Sequence, residues 1–383
     1  MKKSRRQPLE AQLWPSQWRQ AARRRLLVWF RRNARDLAWR KTRDPYAIWV
    51  SEIMLQQTQV ATVERYYPSF LAAFPSIVAL AAADEQQVLR NWEGLGYYRR
   101  ARQIHAAAKK MTAEHGGAFP RDIELVRQLP GIGRYTAGAI LSIAFDSRQP
   151  ILEANTIRLL SRLLAYRGDT ASAAGQTILW HAAESLLGKS GHGELNQALM
   201  EIGSLVCTPR NPQCEVCPLE SLCPTRQAGL QNVIPRLRLQ PKIVDVREAA
   251  VIVHRRGKVL LRKCADGERW AGLWDFPRFP LATTGNHKSN AAQQIIANTR
   301  QLVGVAIVRP MHFTTLRHTV TRFRITLDCY HAESNNSPAG RSSAKDAKNQ
   351  LELCWVNPND LGRYPLCVTG RKLAKFAAAA SKR

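Results

Sequence analysis

The chain has 383 residues, 57 Lys plus Arg against 29 Asp plus Glu, and a formal net charge of +28. At about 150 residues per domain the length suggests two or three domains, and 45% hydrophobic with 8% aromatic residues excludes a disordered or collagen-like chain. No apolar run approaches the roughly 18 residues of a membrane span, and the basic start MKKSRRQPLEAQLWPSQW leads into no apolar stretch of a secretory signal. The expectation is a soluble intracellular protein whose clustered cysteines hold metal. Its charge seeks a polyanion, nucleic acid first.

In chain order, residues 1–15 read as a basic arm, and residues 16–35 as a helix with Trp18, Leu26, Val28, Trp29 and Phe30 as its apolar positions. Residues 1–43 hold 14 Lys and Arg against Glu10 and Asp36. From Asp44 to about Leu205 the pattern is helical throughout, interrupted by Pro and Gly, with no strand alternation. Residues 224–243, with three Pro and no acid, read as an extended basic linker. Beyond it, EAAVIVHRRGKVLLRK signals a hairpin turning at Arg255, Arg256 and Gly257. A helix over 289–302 and strands near 304–309, 322–330 and 351–356 complete an α+β domain over 244–383. WAGLWDFPRF, ending at Phe279, reads as hydrophobic core.

Two local patterns carry chemistry. Cys207, Cys214, Cys217 and Cys223 are spaced C-x6-C-x2-C-x5-C. Thiolates this crowded need a cation, and a cubane iron–sulfur cluster takes four of them. Zinc is the alternative, although structural zinc sites usually pair two C-x2-C knuckles and only one is present. LPGIGRYTAG places Gly131 and Gly133 in a tight turn between two helices, where the N–H groups opening the second helix can grip a phosphate. The plainer reading is a simple helix–helix turn.

The helical region with its cysteine tail resembles the helix-hairpin-helix DNA glycosylase superfamily of endonuclease III. WVSEIMLQQTQVATV, WEGLGYYRRAR and LPGIGRYTAGAI resemble its adenine DNA glycosylase branch, from about Trp18 to Cys223. The C-terminal domain resembles that family's nudix-like module more weakly. The implied architecture is an all-α helix-hairpin-helix glycosylase domain over 16–223 with an iron–sulfur loop at 207–223, followed by the α+β nudix-like domain. The implied activity is monofunctional, hydrolytic removal of adenine mispaired with 8-oxoguanine or guanine in double-stranded DNA. A 4Fe-4S cluster, a monomeric enzyme and a place in the bacterial cytosol or nucleoid are implied with it.

Carried over by position, Glu52 falls on the family's catalytic acid; on periodicity alone it reads as a solvent-facing helix glutamate, but apolar neighbours would raise its pKa if it faced inward. Glu153 stands where the family has aspartate, before Ala154 and Asn155, and is one methylene longer. It either works with an adjusted backbone or leaves a slow or inactive mismatch-binding protein. Tyr135 replaces the lysine of the endonuclease III branch and cannot form a Schiff base, which argues against a lyase. With Asn155 it would orient the second carboxylate. Gln57 and Tyr97 match the residues inserted into the duplex, and Arg134 joins the hairpin's backbone contacts, as Arg99, Arg100 and Arg102 would nearby. In the second domain the helix SNAAQQIIANTRQLVG has no acid to hold magnesium, so the nudix hydrolytic site is missing. Thr321, between Val320 and Arg322, falls on the loop that reads 8-oxoguanine.

Overall fold

The computed structural model describes residues 13–236, 242–281, 291–335 and 351–380. The basic arm as far as residue 12 and most of the polar stretch before Gln350 lie outside them. Two compact units are drawn from Met1–Ala82 with Gln103–Leu239, and from Ala83–Arg102 with Gln240–Arg383. The helices are α1 (Ser16–Asn33), α2 (Pro45–Leu55), α3 (Val60–Ala73), α4 (Ile77–Ala82), α5 (Glu85–Asn91), α6 (Arg99–His115), α7 (Ile123–Arg127), α8 (Arg134–Phe145), α9 (Ala154–Leu163), α10 (Ala173–Leu186), α11 (His192–Leu205) and α12 (Pro224–Gln227). No strand occurs among residues 13–236.

Local chemistry starts these helices. Asp44 caps α2 by accepting from the Tyr46 N–H, with Pro45 in the first turn. Asp122 caps α7 and Ser172 caps α10 in the same way. In α1, Ala22, Leu26 and Phe30 recur every four residues and are buried against α9, α10 and α11. α2 differs, because Tyr46 through Met54 are all buried. A helix with no solvent face takes its one acidic residue, Glu52, inside with it.

Two boundaries depart from the sequence pattern. The expected linker begins with helix α12, and Ile234 is 1% exposed with its carbonyl held by Arg162 Nε at 2.9 Å. The first unit therefore extends past Cys223. Residues 83–102, read in sequence as part of the helical region, belong with the C-terminal residues instead.

In the second unit the strands are β1 (Val244–Arg255), β2 (Lys258–Lys263), β3 (Trp274–Asp275), β4 (Arg278–Pro280), β5 (Ile307–Val320), β6 (Phe323–Ser334) and β7 (Leu353–Val356). They form one sheet of order β3-β2-β1-β6-β5, with β4 on β1 and β7 on β2; β1 and β6 are parallel and the other pairs antiparallel. Arg256 and Gly257, both at positive φ, make the two-residue turn of the first hairpin. Along β1, Ala249, Val251 and Val253 pack with Ile295 and Val303 of α13 (Ala291–Val303). Ala250 and Ile252 face Leu373 and Ala377 of α14 (Val368–Ala380). Covering both faces explains the unbroken apolar run in β1. The Trp270–Phe279 segment is not purely apolar: Asp275 and Arg278 are buried in it, and the Arg278 guanidinium lies 4.2 Å from the Trp270 ring centroid.

Gly203 on α11 faces the start of α9. A β-carbon there would stand 2.8 Å from Asn155 Cβ and 3.1 Å from that residue's carbonyl carbon and oxygen. Because backbone cannot yield cheaply, Gly203→Ala should cost about 1–3 kcal/mol of stability, read as a lower urea midpoint. An unchanged midpoint would mean the two helices are not held this closely.

Candidate active site

Three elements of the first unit converge on a cavity of about 220 Å³. α2 supplies Glu52, the first turn of α8 supplies Tyr135, and the start of α9 supplies Glu153 and Asn155; all four line it. Glu52 is 5% exposed, so the solvent-facing alternative is excluded. Burial pushes its pKa up to about 7; the Glu153 charge adds to the rise, while the Tyr135 hydroxyl and Arg40 oppose it. Tyr135 donates to Glu52 Oε2 at 2.9 Å. The expected partner had been the second carboxylate, but α8 aims the phenol at the first. Burial and the adjacent Glu52 keep the phenol itself protonated, its pKa raised well above the usual value.

Glu153 is the N-cap of α9. Its Oε2 accepts from Asn155 N at 2.8 Å and its Oε1 from Thr156 N at 3.0 Å, while Thr156 Oγ1 accepts from Glu153 N at 2.7 Å. Burial still raises its pKa, against the pull of those N–H groups and Arg158. The extra methylene is thus absorbed by folding the carboxylate back onto the helix start. Arg158 extends the network: Nη2 donates to Asn155 Oδ1 at 2.8 Å and Gly203 O at 2.7 Å, and Nε to Cys207 O at 2.6 Å.

Sequence reasoning missed a further buried group on the same cavity. Glu201 of α11 accepts from Arg35 Nη2 at 2.6 Å and Arg40 Nη2 at 2.7 Å, and from the Arg35 backbone N–H at 2.9 Å. Burial alone would raise its pKa, but the Arg35 and Arg40 bonds outweigh that and hold it at about 2. A glutamate inside the apolar run ALMEIGSLV was the available signal. The basic N-terminal excess accordingly serves structure as well: Arg31 pairs with Glu194 at 2.7 Å, and Arg23 Nη1 donates to the Leu187 carbonyl at 3.3 Å.

The four cysteines of the tail line one small cavity and none is in a disulfide. Arg162 Nη1 lies 3.2 Å from Cys207 Sγ. Backbone N–H groups of Leu219 and of Arg226 and Thr225 point at Cys217 and Cys223. Burial pushes the Cys217 thiol up to about 12, so bare thiolates are disfavoured there without a cationic centre. Four thiols on one cavity, three of them with N–H donors aimed at sulfur, suit an iron–sulfur cluster, whose sulfurs accept such bonds.

The residues expected to meet DNA share a backbone peculiarity. Among the described residues eight non-glycines have positive φ, and Gln57 (56°), Tyr97 (49°) and Thr321 (52°) are three of them. Gln57 follows α2 and is exposed, Tyr97 is 47% exposed, and Thr321 opens the exposed β5–β6 turn. In the α7–α8 hairpin, Gly131 has φ +78° and a β-carbon there would lie 2.9 Å from Gln103 Cβ, so glycine is required. Gly133 is the N-cap of α8 and no side chain among the described residues caps that helix. Arg134 stacks on Trp180 at 3.7 Å. Two expected backbone contacts are otherwise engaged: Arg100 is 6% exposed and donates to the Leu95 and Gly96 carbonyls, and Arg102 pairs with Asp266 at 2.7 Å.

A buried Glu52 and a half-buried, helix-capping Glu153 beside a helical hairpin, with a four-cysteine loop closing the same unit, form the site of a chain that matches the helix-hairpin-helix class of base-excision DNA glycosylases. Residues 50–182 match the HhH-GPD superfamily base excision DNA repair proteins, 207–223 the iron–sulfur binding domain of endonuclease III, and 248–375 the NUDIX domain. Among solved structures, a thermostable thymine-DNA glycosylase aligns with a TM-score of 0.52 at 28% identity, covering 55% of this chain and 98% of that one. The adenine DNA glycosylase of Rattus norvegicus is 34% identical over 365 residues, covering 81% of this chain and 70% of the relative. That of Schizosaccharomyces pombe is 30% identical, covering 88% and 81%. The human one is 45% identical over 239 residues, covering 60% and 44%. The chain belongs to the adenine DNA glycosylase family: it is an N-glycosylase of base excision repair that binds DNA and carries a 4Fe-4S cluster. No described helix is long and apolar enough to cross a membrane.

Because Glu52 titrates near 7 when folded and at 4.5 otherwise, its neutral form stabilises the fold at low pH, and that stability is lost as pH rises through about 7. Glu52→Gln removes the charge and keeps the shape. It should therefore raise the denaturation midpoint above the folded pKa and leave it nearly unchanged below 4.5. The same shift at both extremes would contradict a rise of the Glu52 pKa driven by burial.

Proposed function

We propose that the enzyme removes adenine mispaired with 8-oxoguanine or guanine in duplex DNA by monofunctional hydrolysis, acting as a monomer in the bacterial cytosol or nucleoid. The observation that carries this reading is a buried carboxyl held near pKa 7 on a cavity, with a second carboxylate lining the same cavity.

In this reading the adenine is flipped into the cavity and Glu52 donates its proton to a purine ring nitrogen. The glycosidic bond breaks and its electron pair leaves with the base. Glu153 and its negative charge stabilise the positive sugar that remains, with Asn155 holding that carboxylate in place. Water adds to the sugar carbon, and its proton returns to Glu52. Tyr135 keeps Glu52 Oε2 oriented, so the proton is presented from one oxygen. No amine takes part in this sequence, so no imine and no strand cleavage follow.

Outside the cavity, Gln57 and Tyr97 would fill the gap left by the flipped base, and Thr321 would read the opposite one with its hydroxyl. The hairpin at Gly131, Gly133 and Arg134 would hold phosphate through the uncapped start of α8. Cys207, Cys214, Cys217 and Cys223 would ligate the cluster. When bound, it supplies fixed charge and a rigid loop, and Arg158 ties Cys207 to Asn155 beside Glu153. A second reading, a mismatch binder with weak chemistry, draws on Glu153, whose two oxygens are already engaged by backbone N–H groups.

A single-turnover assay on an 8-oxoguanine:adenine duplex separates these. Free adenine and an alkali-labile abasic strand, without enzyme-made nicks, are expected. The rate should fall as pH rises through about 7, because the acid must be protonated, and Tyr135→Phe should move that fall to higher pH by removing a donor that favours the carboxylate. In the weak-binder reading the duplex binds without adenine release and Glu153→Asp raises the rate by about 100-fold. Spontaneous nicking would sink the monofunctional claim.

A further inference from the structure

The segment Ala83–Arg102 lies between stretches of the first unit in sequence, yet it packs as part of the nudix-like unit. Its attachments are specific. Glu93 Oε1 accepts from Arg371 Nε at 2.6 Å and Glu93 Oε2 from Arg371 Nη2 at 2.8 Å, a two-pronged pair joining this segment to α14. Arg371 also donates to Leu361 O at 2.8 Å and Tyr364 O at 2.6 Å. The two side chains are 22% and 11% exposed, so solvent screens the pair little. Glu93 Oε2 also accepts from Leu366 N at 3.3 Å, and Tyr98 O–H donates to Leu366 O at 3.5 Å. The clamp thus grips the loop on both sides of Tyr97.

Between those grips the backbone is strained. Gly94 and Gly96 take positive φ freely at 101° and 71°, so the strain sits at Tyr97, a non-glycine at 49°. Arg100 closes the loop from inside, donating to Leu95 O and Gly96 O and lying 5.5 Å from the Tyr97 ring centroid. A tyrosine persists in such a conformation only when its surroundings over-determine it. Here those surroundings include the C-terminal helix of the nudix-like unit.

We propose that Glu93 and Arg371 are positioning residues that set the Tyr97 wedge from within the nudix-like unit. This rests on the reading of Tyr97 as an inserted residue. Neither side chain touches DNA in this scheme; both act through the loop.

The test uses the full-length holoenzyme and a duplex carrying 2-aminopurine beside the 8-oxoguanine, which brightens when its neighbour is unstacked. Arg371→Met and Glu93→Gln should lose most of the brightening and lower the preference for 8-oxoguanine:adenine over guanine:adenine by about tenfold. The pH profile of the single-turnover rate should not move, since the cavity is untouched. Lys263→Met, which removes an exposed surface pair in the same unit, should change nothing. Tyr97→Ala separates the two levels. If it keeps the brightening, Tyr97 is not the wedge and the proposal falls with that reading. If Tyr97→Ala loses the brightening while Arg371→Met and Glu93→Gln keep it, the wedge stands and the clamp does not position it. Should Arg371→Met melt below the assay temperature, the near-isosteric Glu93→Gln decides alone.

Discussion

Two glutamates buried on one cavity are driven in opposite directions, and the site depends on that divergence. Glu201 faces two guanidinium groups and stays charged, held at about 2 even though burial opposes it. Glu52, on another helix lining the same cavity, bonds a phenol and faces a like-charged neighbour, with Arg40 only a weaker opposing influence, and burial lifts it to about 7. One residue type supplies a fixed anion and a neutral acid within the same walls. What separates them is where the arginines sit.

That placement follows from helix packing. α2 is buried all round, so Glu52 has no route to solvent. Arg35 and Arg40, in the stretch between α1 and α2, meet Glu201 where α11 brings it inward. α9 and α11 approach closely because Gly203 has no side chain, which lets Arg158 bridge Asn155, the Gly203 carbonyl and the Cys207 carbonyl. The cysteine loop is therefore bonded to the start of the helix that carries Glu153. Arg162, one turn on, reaches Cys207 Sγ and the carbonyls of Thr208, Gln231 and Ile234. Arg158 thus joins the cysteine loop to the start of the helix that Glu153 caps, and Arg162 holds the loop and the segment after it.

The nudix-like unit keeps the sheet of its fold without the acidic helix that hydrolysis of a diphosphate needs: α13 holds no Asp or Glu. Its polar interior is instead an ion-paired cluster in which Glu248 accepts from Arg278 and Arg269 at 2.5 and 2.8 Å. Burial and the nearby Arg278 charge push His318 down to about 4, so this imidazole carries no positive charge near neutrality. Such an interior is built for rigidity, which suits a platform that presents a turn at Thr321 and anchors a loop at Tyr97.

Cysteine spacing, the hairpin at Gly131 and Gly133, the helical run and the Arg256–Gly257 turn were all legible along the chain, because each is set by residues close in sequence and by short-range backbone chemistry. The candidate positions Glu52, Tyr135, Glu153 and Asn155 were legible only through resemblance; periodicity by itself favoured a surface position for Glu52. What the linear pattern did not reveal was partnership: Tyr135 with Glu52, Arg35 and Arg40 with Glu201 across more than 160 residues, Glu93 with Arg371 across 278. Nor did it assign residues 83–102 to the C-terminal unit. Local propensity and spacing determine which elements form and which side chains are available; burial and charge pairing depend on which distant elements share a wall, and that is decided only when the tertiary structure closes around them.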